Sequence, residues 1–142
     1  MAFTGGCQCG RVRYSAEGPR DRSSLCYCRM CQKAGGAAFM AFVRFPAARV
    51  TWSAPPATFA SSEAVERGFC SACGTPLSYR DTRGSDVSLT IYSLDDLGAV
   101  DLEFCFSPER KPPWLDALED LRPVGFRDGP ALASRQHPDR PD

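Results

Sequence analysis

The chain has 142 residues, 43% hydrophobic and 24% charged, enough for one globular domain with a buried core. Its 17 basic and 17 acidic side chains cancel, so no basic surplus points to nucleic acid or an anionic membrane surface. No apolar run approaches membrane-spanning length.

Taken in chain order, short alternating segments punctuated by Gly and Pro predict a mainly β protein with little helix. Residues 1–6 show neither a basic nor an apolar signal-peptide region, so no secretory leader is expected. Cys7-x-Cys9 comes first, and residues 11–15 alternate Val12 and Tyr14 before a Gly18-Pro19 turn. Cys26-x-Cys28-x-x-Cys31 follows, and residues 29–34 can form a turn or two of helix. Residues 37–45 predict a strand with Phe39, Ala41, Val43 and Phe45 on one face, ended by Pro46. Val50–Trp52, 58–60 and Val65–Phe69 are further short strands, the last leading into Cys70-x-x-Cys73 and residues 77–80 leading out of it. Residues 87–92 and 102–106 complete the strands, and 113–121 has helix-like spacing behind an opening proline. From about residue 128 the sequence is polar and aperiodic, so the expected division is a domain over 1–127 and a disordered tail over 128–142.

Seven of the eight cysteines lie in the three clusters. Seven thiolates are one short of two closed tetrahedral zinc sites. Structural zinc takes four protein ligands, whereas catalytic zinc takes three and keeps a position for water or substrate. Cys26, Cys28 and Cys31 are locally complete as a three-ligand site, while Cys7/Cys9 and Cys70/Cys73 are two halves of a closed one. Zn–S bonds of about 2.3 Å place neighbouring sulfurs roughly 3.8 Å apart, within reach of one or two intervening residues. Gly10 and Gly74 each follow a cysteine and can take positive φ, turning backbone N–H groups towards the sulfurs. The competing disulfide framework fits poorly, because Cys-x-Cys neighbours are badly placed to bond each other. Abundant thiols without a leader imply a reducing cytoplasm.

Other candidate chemistry is thin. The single histidine, His137, lies in the tail, which argues against Ser-His-Asp and Cys-His mechanisms. Asp95-Asp96 is expected to form a turn or cap. Phe39, Phe42, Phe69 and Trp52 are expected in the core, and Trp114 at one edge of the fold.

The segments Gly6-Cys7-Gln8-Cys9-Gly10, Cys26-Tyr27-Cys28-Arg29-Met30-Cys31-Gln32-Lys33 and Gly68-Phe69-Cys70-Ser71-Ala72-Cys73-Gly74-Thr75-Pro76-Leu77 together resemble the glutathione-dependent formaldehyde-activating enzymes, a family that includes proteins similar to centromere protein V. The resemblance runs from Gly5 to about Trp114. It implies a tent-like, mainly β fold with two zinc ions. By position, Cys7, Cys9, Cys70 and Cys73 would hold the structural ion, and Cys26, Cys28 and Cys31 the catalytic one. The implied activity is a carbon–sulfur lyase reaction, the reversible addition of glutathione to formaldehyde, with the glutathione thiol at the open zinc position. Two positions depart from the family pattern: Tyr27 and Cys105 stand where many members carry His. Both fall near the implied reaction centre and leave the electrophile open.

Glutathione carries two carboxylates and one ammonium, so its site needs cations. Lys33 is the first candidate, with Arg29, Arg44, Arg110 and Lys111 behind it. Tyr27 can be packing, a pocket wall or a hydrogen-bond donor to the substrate. Cys105 is expected as a small buried hydrophobe outside the metal sites, the alternative being a fourth sulfur on the second zinc. The competing functions are a non-catalytic zinc module that binds a protein, or a thiol switch.

Overall fold

Two sheets meet at the first and third cysteine clusters. The computed structural model describes residues 2–18, 20–125 and 133–139. The smaller sheet is antiparallel, with β1 (Ala2–Gly6), β2 (Arg13–Glu17) and β5 (Val50–Trp52) in the order β1-β2-β5. The larger has seven strands: β3 (Arg22–Cys26), β4 (Met40–Pro46), β6 (Ala57–Ser62), β7 (Val65–Phe69), β8 (Pro76–Asp81), β9 (Asp86–Thr90) and β10 (Phe104–Phe106). Their order is β10-β3-β4-β9-β8-β7-β6, and every neighbouring pair is antiparallel except β10 on β3. The fold is mainly β around cysteine knuckles, as expected, with one α-helix among the described residues, α1 (Arg29–Gly35). The expected helix at 113–121 is a run of 3-10 turns over Pro113–Asp120, kinked at Ala117. No helix is long and apolar enough to cross a membrane. Most of the expected tail lies outside the described residues, as does Pro19 of the expected turn, and 133–139 has no helix or strand.

Strand β4 decides where everything else sits. The alternation in its sequence suggested one buried face, but both faces are buried. Ala41, Val43 and Phe45 face the main core, together with Leu77 and Leu89, and Val43, Phe45, Leu77 and Leu89 are fully buried. Burying each of these larger apolar side chains contributes about 1.5–3 kcal/mol. Met40 and Phe42 face the other way, into a second cluster with Cys31, flanked by Cys26, Cys28 and Tyr79. Phe42 therefore belongs to the cysteine side of the sheet, not to the main core. Trp52 packs edge-on against Tyr14 with ring centroids 5.2 Å apart, as a core aromatic should. Trp114, expected at one edge of the fold, is exposed.

Strands β1 and β3 escaped the sequence reading. Two glycines end β1, and β3 reads Arg-Ser-Ser-Leu-Cys, without apolar alternation. Ser23 and Ser24 are nonetheless buried, and the Ser23 hydroxyl donates to the Asp101 carbonyl. That bond removes the cost of burying an unpaired hydroxyl. Asp96 caps a short turn by accepting from the Gly98 N–H at 2.8 Å, as expected of an Asp-Asp pair. Asp95 is partly buried and holds Arg13 Nη2 at 2.5 Å and the Thr4 hydroxyl at 2.6 Å.

Candidate metal centres and the arginine-lined cavity

The first centre joins the two sheets. Cys7 directly follows β1, and Cys70 and Cys73 lie in the turn between β7 and β8. The ligand atoms of Cys7, Cys9, Cys70 and Cys73 all lie within 4.8 Å of one another. Cys7 Sγ and Cys9 Sγ are 3.6 Å apart, and Cys9 Sγ and Cys70 Sγ 3.8 Å. Those spacings match the edge of a thiolate tetrahedron, roughly 3.8 Å for Zn–S bonds of about 2.3 Å. All eight cysteines are free thiols. The two knuckles share one backbone design. Gly10 (φ +74°) and Gly74 (φ +78°) take the left-handed conformation, and each N–H closes back on the carbonyl of Cys7 or Cys70. The Val12 N–H donates to Cys7 Sγ at 3.2 Å, and the Thr75 hydroxyl lies 3.2 Å from Cys73 Sγ. At Cys73, burial acts upwards, but the Thr75 hydroxyl and N–H outweigh it and lower the thiol to about 6. His137 reaches this knuckle, its N–H donating to the Gln8 carbonyl at 2.7 Å, while its ring stays exposed.

The second centre lies on the far side of β4. Cys26 ends β3, Cys28 caps the start of α1, and Cys31 sits in its first turn. Their three ligand atoms also fall within 4.8 Å of one another. Burial pushes the Cys28 thiol up, but N–H groups of Cys31 and Met30 and the neighbouring sulfurs bring it below the ordinary value. Burial holds Cys26 up at about 12. Three clustered thiols, one favoured as thiolate, suit a thiophilic cation. Cys105 is no part of this group: it is exposed on β10 opposite Leu25, which corrects the expectation of a buried residue.

The sheet turns a row of side chains towards these thiols. Arg22 faces Arg44 across β3 and β4, Arg44 faces Ser88, Ser88 faces Tyr79, and Tyr79 faces Arg67. Directly paired residues share a face of a sheet, so five strands contribute one row. Arg22, Ser24 and Cys26 alternate along β3 on that same face. A cavity of about 390 Å³ opens there, bounded by this row, the three cysteines, Ser24, Met30, Phe42, Phe106 and Ser107. Sequence reasoning named Arg44 but missed Arg22 and Arg67. The missed signal was strand register, since alternation on β3 and β7 places both arginines on the cysteine side.

The remaining expected site residues fall elsewhere. Lys33 is exposed in the last turn of α1 and does not line the cavity. Tyr27 is buried, stacked edge-on with Phe39 at 5.6 Å, and its N–H donates to the Phe106 carbonyl. Tyr27 thus packs against Phe39 and is not part of the cavity lining. Arg29, Arg110 and Lys111 also lie outside the lining.

Arg67 is the most unusual side chain of the site. It is 8% exposed and has no carboxylate partner among the described residues. Nη2 donates to Cys31 Sγ at 3.4 Å, Nε donates to Ser61 Oγ at 3.0 Å, and the guanidinium lies 5.2 Å from the Tyr79 ring centre. Burying an unpaired cation costs several kcal/mol, so it needs a negative charge nearby. Three thiolates around a divalent ion, net −1, would provide one. Replacing Arg67 with Met should weaken metal retention at this centre by about 10–100-fold, as loss of an outer-shell partner does elsewhere. Competition with a chelator measures it, and unchanged retention would refute the role.

A mainly β domain clasped by a four-thiol cluster, with a separate three-thiol cluster opening into a cavity, defines a protein with two cysteine clusters that could each hold a metal ion. The chain belongs to the glutathione-dependent formaldehyde-activating enzyme family, whose model it matches over residues 2–111. A Schizosaccharomyces pombe protein described as an uncharacterized lyase is 31% identical over 84 residues, 59% of this chain and 61% of that protein. The match thus spans about three-fifths of that relative's length. A Rhodobacter sphaeroides protein of known crystal structure superposes with a TM-score of 0.54 at 15% identity, covering 73% of this chain and 99% of the other. That likeness concerns the fold alone.

Proposed function

We propose that the protein is a zinc-dependent, carbon–sulfur lyase-type enzyme that joins glutathione to a small electrophile such as formaldehyde, or releases it, at Cys26, Cys28 and Cys31. The observation that carries this reading is a three-thiol cluster, one ligand short of a closed site, opening into a cavity lined by arginines. Zinc bound there would supply a fourth position that keeps an incoming thiol as thiolate near neutral pH. In the forward direction a bond forms between the glutathione sulfur and the carbonyl carbon, and the thiol proton ends on the carbonyl oxygen. The reverse breaks that bond and returns the proton to sulfur. Arg67 offsets the negative charge gathered at the thiolates, and Phe42, Met30 and Phe106 keep one side of the cavity apolar. Cys7, Cys9, Cys70 and Cys73 would hold the second, structural zinc. Eight free thiols suit a reducing compartment such as the cytoplasm.

Metal analysis and X-ray absorption, with and without glutathione, test the reading. We expect zinc at both cysteine groups and a rise in mean sulfur coordination when glutathione is added. Full four-sulfur coordination at both ions beforehand, unchanged by glutathione, would point instead to a non-catalytic zinc module or a thiol switch.

A further inference from the structure

Three cations line the cavity, and their partners differ. Arg67 is committed to Cys31 and Ser61. Arg44 is held by two carboxylates, Asp21 and Asp86. Arg22 has no acidic partner among the described residues; its guanidinium lies 5.0 Å from the Phe104 ring centre, at the exposed start of β3. Its charge is therefore the one available to an incoming anion.

Its position along the strand gives this a scale. Arg22 and Cys26 lie on the same face of β3, four residues apart, or about 13 Å between Cα atoms at roughly 3.3 Å per residue. The glutathione thiol sits on the central residue of the tripeptide, so its terminal carboxylates reach about 7–10 Å from the sulfur, less than the roughly 10–11 Å span of three extended residues. A thiol held at the Cys26 end thus leaves a terminal carboxylate of the same molecule pointing along β3, within the sweep of the Arg22 side chain. The path between them runs over Ser24 and past Phe42 and Phe106, all part of the cavity lining. Lys33 lies off this path.

Resting on the function proposed above, we infer that Arg22 is the specificity-determining residue of the site: it receives a carboxylate of the thiol substrate and so selects thiols bearing an anion within about 10 Å of the sulfur. Arginine suits the role, since its planar fork pairs with both carboxylate oxygens and aromatic stacking on Phe104 holds it in place.

Calorimetric titration of the zinc-loaded protein with glutathione, and in parallel with 2-mercaptoethanol, which has no carboxylate, tests this. Arg22→Gln should weaken glutathione binding about tenfold, the scale of one charge-assisted hydrogen bond at a partly solvated site, and leave 2-mercaptoethanol unchanged. In turnover the loss should fall on KM, with kcat retained. Equal glutathione affinity in the variant and the parent, or weakened binding of both thiols, would overturn the inference. So would a selective loss of glutathione in Lys33→Gln in place of Arg22→Gln. If the parent binds neither thiol, the functional reading itself fails, and that outcome is distinct from the others.

Discussion

Cys73→Ser is expected to give insoluble protein, or protein whose melting temperature falls by more than about 10 °C, the shift that a loss of some 4 kcal/mol produces in a domain of this size. The reason is where the ligand sits. Cys7 and Cys9 belong to the end of the small sheet, and Cys70 and Cys73 to the β7–β8 turn of the large one, so the four sulfurs join segments more than sixty positions apart. Cys7 and Cys70 are buried within the main core itself. Ligand binding at such a centre is folding energy, with apparent values of about 10–16 kcal/mol for structural zinc, as large as the whole stability of a typical domain. Removing one sulfur forfeits a large share of it and leaves the Thr75 hydroxyl facing a weaker partner. A thermal melt followed by circular dichroism decides the matter. Melting like that of the parent would reject a structural role for this centre.

Cys28→Ser should do the opposite, leaving the fold in place while glutathione binding and turnover drop by at least about 100-fold, the upper range for disturbing a metal's surroundings. Cys26, Cys28 and Cys31 are neighbours in sequence, at the end of β3 and the start of α1, and tie no distant segments together. Cys28 is only half-buried, and the Gln32 N–H bonds its carbonyl, not its sulfur, so the entry to α1 survives the substitution. Its melting temperature should stay within about 4 °C of the parent, a change worth roughly 1 kcal/mol. Unfolding as severe as that of Cys73→Ser would remove the distinction between the two centres and, with it, the case for an open one.

Cysteine spacing made both cysteine clusters legible before any fold was known, because metal ligation constrains sequence locally: one or two residues between sulfurs and, in the first cluster, a glycine to turn the chain. The pairing of Cys7/Cys9 with Cys70/Cys73 followed from ligand number alone. Several other strands were readable, Val50–Trp52 and Val65–Phe69 among them. Strand β3 was not. Its buried positions are serines, Ser23 held by a hydrogen bond rather than by apolar packing, and polarity hides such a strand from periodicity. The cavity was lost with it, since Arg22 and Arg67 acquire their common direction only from the register of β3, β4, β9, β8 and β7. Lys33 drew attention by lying close to Cys31 in sequence, but the turn of α1 carries it to the exposed side. Proximity along a chain is a poor guide to direction once a helix intervenes.

Strand β4 has a bearing on how such a protein can diversify. Positions 41, 43 and 45 answer to the main core, while 40, 42 and 44 border the thiols and the cavity. Descendants can exchange the even positions and acquire new ligand preferences while inheriting an untouched scaffold, and drift at the odd positions leaves the ligand preference alone. Insertion or deletion of one residue has no such latitude. It would trade the two sets, sending Arg44 into the hydrocarbon interior and Phe45 towards the sulfurs. A substitution on β4 thus touches one face at a time, whereas a change in its length disturbs both at once.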